Sequence, residues 1–206
     1  MYVLGDLYDW WLGDDQLADP FAYAVAESLQ GIAAAGVPLA VARGNRDFML
    51  GERFARTTGA TLLGDQTVLD LEGTRTLVSH GDELCTDDAE YQRYRARMRD
   101  PRTQRRLLAL PYFARRGIAT WLRRKSNAAN ALKPESITDV TLAAVEAALR
   151  THGATRMIHG HTHRPARHHL SVDGVSRERL VLADWHDRGH WLEVDATGAR
   201  AHDIDP

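Results

Sequence analysis

The chain has 206 residues, 44% of them hydrophobic and 26% charged, with a formal net charge of −2. This length suits one domain with a substantial core, and the near-neutral charge by itself says little about partners. Cys85 is the single cysteine, which excludes an intramolecular disulfide and favours a reducing compartment. No stretch approaches the roughly 20 apolar residues that span a bilayer, and no signal-peptide pattern is found at the N-terminus.

The first part of the sequence predicts two strands joined by a helix. Residues 2–4 form a short apolar run that Asp6 follows closely, and residues 20–35 carry apolar side chains at helical spacing. Residues 38–42 predict a second buried strand, which leads to Asn45. In α/β proteins, sites form where strands end, so this βαβ pattern makes Asp6 and Asn45 candidate ligands.

Two later strands end in histidine motifs. Residues 67–71 and 76–79 predict paired strands, and His80 follows the second. Residues 156–159 predict a strand that leads into Ile158-His159-Gly160-His161-Thr162-His163. Neutral imidazole is a good ligand for divalent transition metals, and a hydrophobic core does not need three of them together. Each strand end is a weak signal alone, but the ordered set of four predicts a metal site.

Residues 88–126 are basic and differ in character from the rest. Twelve basic residues and one acid, Asp100, lie within residues 93–125, and Pro101 and Pro111 divide the segment into two or three helices. The apolar face of the last helix consists of Phe113, Ile118, Trp121 and Leu122. We favour an anionic contact such as a membrane surface over a merely solvated helix. Nucleic acid is a rival partner, but few aromatic side chains are present for base stacking.

The remaining sequence predicts a helix and two late strands. Residues 136–150 have helical spacing, and Ser136 with Asp139 resembles a capping box at the start. Residues 180–183 and 191–194 predict strands. The side chains assigned to the solvated surface are Asp14, Asp15, His168, His169, His190 and His202.

The candidate ligands suit a pair of metal ions. A carboxylate, an amide oxygen and three imidazoles can share two divalent ions about 3.5–4 Å apart, and a carboxylate can bridge them because it has two oxygens. Mixed oxygen and imidazole ligands suit Mn, Fe or Zn better than Ca. Such a pair lowers the pKa of bound water and clamps phosphoryl oxygens, so the pattern predicts phosphoryl chemistry.

Four motifs resemble those of the calcineurin-like metallophosphoesterases. They are Gly5-Asp6-Leu7, residues 44–48 (Gly-Asn-Arg-Asp-Phe), residues 80–88 and residues 158–165. Residues 80–88 and Arg46 are specific to the subgroup that hydrolyses UDP-2,3-diacylglucosamine in lipid A biosynthesis, which nearly the whole chain resembles. The resemblance implies an α/β fold, an αββα sandwich that forms a single domain over residues 1–206, with residues 88–133 inserted as a helical lid over acyl chains.

The resemblance also implies ligands and roles. Two Mn²⁺ ions are expected, with Asp6 bridging them; one site is completed by Asn45, His80 and His161, and the other includes His163. The implied catalytic residues are Asp6, Asn45, Arg46, His80 and His161. The implied substrate contacts are Asn45, Arg46, Asp88, Ser126, Asn130, Lys133 and His161.

The implied reaction is hydrolysis of the pyrophosphate bond of UDP-2,3-diacylglucosamine to UMP and 2,3-diacylglucosamine 1-phosphate (lipid X). A cytoplasmic protein is implied, peripheral on the cytoplasmic face of the inner membrane, whose partners are this substrate and the membrane surface. No nucleic acid and no protein partner is implied.

The sequence departs from the family pattern at its start. That pattern opens with an Asp-x-His motif at the end of a first strand, and no such motif precedes Asp6. A misplaced start, a cut chain and a degenerate form are the three explanations, and we favour either of the first two because the other motifs are intact. For the sequence as written we expect a missing first strand, one incomplete metal site, little or no activity, and poor stability because a sheet edge is exposed.

Two alternative functions stay open. A broader dinuclear-metal phosphoesterase acting on nucleotides would use the same ligands, but a soluble nucleotide needs no apolar lid. A non-catalytic relic that binds anions or membrane through residues 88–125 is favoured by the absent Asp-x-His motif. The retained Asn45, His80 and His161 argue against that relic.

Overall fold

The computed structural model describes residues 1–130, 137–186 and 188–204, with the backbone alone for residues 125–130. Two compact units are found, one of Met1–Leu63 with Asp87–Thr138 and the other of Gly64–Thr86 with Asp139–Pro206. The single domain predicted over the whole chain stays a prediction. Within the described ranges, no helix combines the length and apolar character needed to cross a bilayer.

The first unit is built on a small parallel sheet in the order β1-β2-β3. Its elements are β1 (Tyr2–Leu4), α1 (Pro20–Ala34), β2 (Ala40–Ala42), α2 (Glu52–Thr58) and β3 (Thr61–Leu62). Because β1 and β2 pair in parallel with α1 between them in sequence, the predicted βαβ unit is confirmed. Trp11, Val41 and Phe54 are fully buried in the core of this unit, so apolar burial holds the strands against the helices.

Three helices of the basic segment also belong to the first unit. They are α3 (Ala89–Arg99), α4 (Pro101–Leu108) and α5 (Tyr112–Asn130). The two prolines separate them as predicted, and the side chain of Asp100 caps α4 by accepting the N–H of Thr103 over 2.7 Å. Arg115 on α5 is buried, where it pairs with Asp15 and donates to the carbonyl of Leu12. One buried arginine of the basic segment is therefore paired with the exposed carboxylate of Asp15.

The assignment of Asp14 to a solvated loop is wrong, whereas Asp15 is exposed, as that assignment expects. Asp14 accepts the indole N–H of Trp11 over 3.0 Å, and it caps the start of α2 by accepting the N–H groups of Gly51 and Phe54 over 3.0 and 3.1 Å. Asp15 pairs with Arg115. Both carboxylates bind groups that are distant in sequence, which a local pattern of polar residues does not reveal.

The second unit is built on a five-stranded sheet in the order β4-β5-β6-β8-β7. Its elements are β4 (Gln66–Leu71), β5 (Thr74–Ser79), α6 (Leu142–Thr151), β6 (Arg156–His159), β7 (Ala166–Val172) and β8 (Val175–Val181), and β9 (Gly189–Asp195) pairs with β10 (Gly198–Ile204) in a separate hairpin. The three central strands β5, β6 and β8 are parallel, and the outer strands run antiparallel to their neighbours. Ser79 is aligned with His159, so β5 and β6 end at the same level.

The start of α6 and two strands differ from the sequence predictions. The helix begins at Leu142 because Thr141 caps it, accepting the N–H of Ala144 at its hydroxyl over 3.3 Å. Asp139 lies before the helix and pairs with Arg164 instead, and Ser136 lies outside the described residues. β7 and β10 were not predicted, since both are partly exposed strands rich in polar residues. The strands at residues 67–71, 76–79, 156–159 and 191–194 are confirmed within a few residues, and residues 180–181 end β8.

Candidate functional site

Asp47 organises the two strand-end loops of the first unit. Its carboxylate is fully buried and accepts the N–H of Leu7 after β1 over 2.7 Å and the N–H of Gly44 after β2 over 2.6 Å. Charge-assisted bonds of this length are stronger than ordinary amide hydrogen bonds. The two loops that carry Asp6 and Asn45 are thereby held side by side. Asp47 lies within the motif of residues 44–48, but no role was predicted for it.

Asp6 and Arg46 meet within these loops. The Asp6 carboxylate accepts the backbone N–H of Arg46 over 2.9 Å, and the Arg46 Nε atom lies 3.4 Å from its second oxygen. A Cβ atom on Gly44 would lie 2.1 Å from Asp6 Oδ1, so this close approach of the loops requires glycine. The geometry brings together two of the residues predicted for the site.

The basic segment contacts the same loops. Arg99 on α3 donates to the carbonyl groups of Arg43 and Gly44, each over 3.2 Å. Arg123 on α5 lies 3.3 Å from Asp9, and its guanidinium carbon lies 5.9 Å from the centre of the Trp10 ring. These contacts within the first unit were not predicted, because they join residues more than 50 positions apart.

In the second unit, the histidine motifs lie directly after the ends of strands β5 and β6. His80 follows β5 and His161 follows β6, with 3.2 Å between His80 Nε2 and His161 Nδ1. The N–H of Gly160 donates to the carbonyl of His80 over 3.0 Å, which ties the two strand ends together. Burial, followed by the proximity of His80, lowers the pKa of His161 to about 3. The imidazole of His161 is therefore neutral at physiological pH, as a metal ligand must be.

His159 is the histidine of this motif that the structure keeps apart. Its side chain is fully buried, and its Nδ1 atom lies 2.9 Å from the carbonyl oxygen of Gly160. Burial lowers the pKa of His159 to about 4. It therefore belongs to the core under the site.

Backbone conformation marks three of the predicted metal ligands. Among the described residues, five that are not glycine have positive φ, and three of these are Asp6 at +54°, His161 at +65° and His163 at +53°. The other two, Glu72 and Asp173, lie in the hairpin turns of β4–β5 and β7–β8. Left-handed backbone costs an L-residue roughly 1–2 kcal/mol, and such strain concentrates at functional sites. The observed outliers thus point to the strand ends that the sequence singled out.

His163 has a carboxylate partner. Its Nδ1 atom lies 3.2 Å from Oδ2 of Asp184, which follows β8. The next residue, Arg164, pairs with Asp139 over 2.8 Å. Asp184 was not predicted as a site residue, although its position just after a strand was a usable signal.

The remaining predicted substrate contacts are placed only in part. Asp88 is buried and caps α3, because its Oδ1 accepts the N–H of Tyr91 over 3.0 Å. Ser126 and Asn130 lie in the last turns of α5, where the backbone alone is described, and Lys133 lies outside the described residues. Their substrate roles stay predictions.

The predicted ligand atoms, which are imidazole nitrogens and carboxylate and amide oxygens, are of the chemical types that bind divalent transition metals. Two nitrogen ligands about 2.1 Å from one ion are separated by roughly 3 Å, which is close to the 3.2 Å between His80 Nε2 and His161 Nδ1. Carboxylate and amide oxygens are present at Asp6 and Asn45. Within residues 1–130, 137–186 and 188–204, no three histidine, cysteine, aspartate or glutamate side chains already form a metal-binding group.

Comparison with known proteins places the chain among hydrolases. The sequence pattern of the calcineurin-like phosphoesterase family matches residues 1–165. A UDP-2,3-diacylglucosamine hydrolase of Cellvibrio japonicus (strain Ueda107) is 49% identical over 198 residues, which are 96% of this chain and 82% of that protein. The protein of the same name from Nitrosococcus oceani is 51% identical over 191 residues, covering 92% and 75% of the two chains. That from Salmonella typhi is 46% identical over 194 residues, covering 94% and 80%.

These matches confirm the α/β fold class and the enzyme class that the motifs predicted. Divalent metal use follows from membership of a metallophosphoesterase family. The family match includes all four strand ends described above. The chain therefore belongs to the calcineurin-like phosphoesterase family and, within it, to the group of the UDP-2,3-diacylglucosamine hydrolases.

Proposed function

We propose that this chain hydrolyses the pyrophosphate bond of UDP-2,3-diacylglucosamine to UMP and 2,3-diacylglucosamine 1-phosphate, with Mn²⁺ as the metal. One observation carries the proposal: Asp6, His161 and His163 have left-handed backbone at the strand ends where the motifs predict metal ligands. The named relatives supply the substrate, since hydrolases of that name share 45–51% identity with this chain.

The proposed metal ligands are Asp6, Asn45, His80, His161 and His163. Divalent ions held there lower the pKa of bound water and neutralise charge on phosphoryl oxygens. The chain itself contributes pre-formed geometry, because Asp47 fixes both loops of the first unit and the Gly160 N–H fixes the histidine loops of the second. Rigid placement of this kind avoids reorganisation when substrate binds.

Arg46 is proposed to stabilise the leaving group. Cleavage of a pyrophosphate releases a phosphate monoester, whose second pKa is near 6, so the departing oxygen needs little proton donation. It does gain from a permanent positive charge, which a guanidinium supplies in a geometry that matches phosphate. Arg46 is oriented by Asp6 on one side and by Asp9, whose Oδ1 lies 3.0 Å from Arg46 Nη1, on the other.

We further propose that α4 and α5 rest on the cytoplasmic face of the inner membrane and cover the acyl chains of the substrate. Exposed apolar side chains support this, since Phe113 is 77% and Trp121 62% exposed on a helix that also carries Arg116 and Arg124. Apolar side chains beside cationic ones favour the surface of an anionic bilayer. The same surface would admit a substrate that itself resides in lipid.

The activity test uses this 206-residue chain, purified and loaded with Mn²⁺, and measures UMP release together with bound metal. Little UMP release from UDP-2,3-diacylglucosamine, in line with the low activity expected for the sequence as written, and none from an acyl-free UDP sugar are expected. Equal cleavage of both compounds would indicate the broader nucleotide phosphoesterase. No release, while the Cellvibrio japonicus relative is active in the same assay, would indicate the non-catalytic alternative.

The membrane test measures co-sedimentation with vesicles of neutral or mixed neutral and anionic lipid. Phe113→Ser with Trp121→Ser is expected to weaken binding to anionic vesicles at least fivefold. Leu142→Ser is the matched control, because Leu142 is 57% exposed but lies on α6. Equal loss in the control, or no preference for anionic lipid, would contradict the proposed surface.

A further inference from the structure

We propose that Asp184 is a positioning residue, which holds the proton of His163 on Nδ1 and so directs the Nε2 lone pair toward a metal ion. The inference rests on the proposed function in one respect, namely that His163 is a metal ligand. The contact itself, 3.2 Å between Nδ1 and Oδ2, is a property of the chain alone.

The chemistry of the pair assigns the proton. An ionised carboxylate can only accept hydrogen bonds, so a neutral imidazole facing it must carry its proton on the facing nitrogen. The opposite nitrogen, Nε2, then keeps its lone pair. Histidine ligands in metalloproteins commonly donate their other N–H to a carboxylate, which fixes the tautomer and the ring orientation.

The sheet explains why these two residues meet. β6 and β8 are parallel neighbours, with His159 aligned with Val181, and the Leu182 N–H donates to the carbonyl of His159 over 2.8 Å. His163 follows the end of β6 by four positions, and Asp184 follows the end of β8 by three. Both loops therefore leave the same edge of the sheet.

The backbone of His163 adds to the argument. With φ at +53°, this residue holds a conformation that L-residues disfavour, so its ring is aimed by the fold and not by local preference. The adjacent Arg164 is paired with Asp139 over 2.8 Å. The two basic side chains at 163 and 164 thus have different carboxylate partners, Asp184 and Asp139.

The test reads the tautomer directly. The 206-residue chain, labelled with ¹⁵N-histidine and free of metal, is examined by long-range ¹H–¹⁵N correlation at neutral pH, and the His163 signals are assigned with His163→Gln. Protonated Nδ1 is expected in the unsubstituted chain. Asp184→Ala is expected to move the proton largely to Nε2, and Asp184→Glu is expected to restore protonated Nδ1.

A matched control is provided by the β9–β10 hairpin, where His190 Nδ1 lies 2.9 Å from Asp203 Oδ1. Asp203→Ala should change the His190 signals and leave those of His163 in place. A second readout is calorimetric Mn²⁺ binding. Asp184→Ala should lower the affinity for the ion at His163 about 10- to 100-fold, and Asp203→Ala should lower the affinity for neither ion.

The outcomes separate this inference from the proposed function. Protonated Nε2 on His163 in the unsubstituted chain would overturn the inference whatever the activity, and for this measurement the His163→Gln variant serves only to assign the signals. Complete loss of the His163 ion in Asp184→Glu, with protonated Nδ1 retained, would also overturn it, because Asp184 would then be a direct ligand. Protonated Nδ1 in a chain that releases no UMP supports the positioning contact and counts against the proposed function alone.

Discussion

Arg46 and Asp9 are joined over 3.0 Å between Nη1 and Oδ1, which ties the loop after β2 to the loop after β1. Arg123 of α5 approaches the same carboxylate oxygen at 3.3 Å. One carboxylate oxygen of Asp9 therefore contacts two guanidinium groups, which lie about 80 residues apart in the sequence. Both guanidinium groups are thus held on one anionic group, and paired guanidinium groups are also the arrangement that binds phosphate well.

Arg123→Gln is expected to raise the KM for UDP-2,3-diacylglucosamine up to about fivefold and to leave kcat within about twofold, since a partly exposed charge is worth up to about 1 kcal/mol. Arg123 lies over Trp10, and both line a cavity of ≈ 320 Å³ with Asp9. Arg56→Gln is the control, because Arg56 is an exposed arginine on α2 that pairs with Glu52, and it should change neither constant. A fall in kcat at constant KM would show that Arg123 acts on the transition state and not on substrate binding.

Gly44→Ala is expected to disrupt the site. The new methyl group would lie 2.1 Å from Asp6 Oδ1 and 2.3 Å from the Asp6 backbone nitrogen, so the loops must separate. Metal binding, followed by calorimetry, should weaken at least tenfold. Gly64→Ala is the matched control, because its nearest atom is 3.7 Å away, which is ordinary contact. Similar metal affinity in the two variants would contradict the close packing at Gly44.

His161→Gln is expected to remove one metal ion from the protein. The ring nitrogens of His161 and His80 lie 3.2 Å apart, and glutamine cannot replace a neutral imidazole donor in that position. Elemental analysis after dialysis should show the stoichiometry fall by about one ion per chain. His168→Gln, a substitution on β7, should retain the full metal content, and an equal loss there would point to a general effect of removing histidine.

Asp139 is expected to contribute to the loss of folding stability at acidic pH. Burial opposes ionisation, but the Val140 N–H and the Arg164 guanidinium outweigh it, so the pKa of Asp139 lies below its ordinary value. Its stabilising contribution is complete above about pH 4 and is lost as the pH falls further, because the unfolded chain then binds the proton first. Asp139→Asn should therefore reduce stability at pH 7 and flatten the decline below about pH 4.

This prediction is checked by urea unfolding of the metal-free protein at pH 7 and at intervals from about pH 4.5 to pH 3. Arg164→Gln should flatten the same decline in part, since it removes one of the groups that lower the pKa of Asp139. If the slope of the free energy of unfolding against pH is unchanged in both variants, other carboxyl groups control the acid transition.

The strand-end motifs could be predicted because their signals are local. Gly5-Asp6, Gly44-Asn45 and the residues from Gly160 to His163 each follow an apolar run that forms a strand in the structure. Apolar periodicity decides where a strand lies, and a glycine beside a polar side chain shows where it ends. The start of α6 was mispredicted because Ser136 with Asp139 competed with Thr141, and only the fold shows which residue caps the helix.

Local residue patterns were enough to predict the family, the order of the strand-end motifs and the basic character of α3 to α5. The tertiary structure decided which carboxylates support them: Asp47 between two loops, Asp14 at the start of α2, Asp15 against Arg115, and Asp184 at His163. A carboxylate looks the same in sequence whether it is solvated or bonded. Its role depends on donors that folding brings from distant positions, and those long-range contacts carry no local pattern.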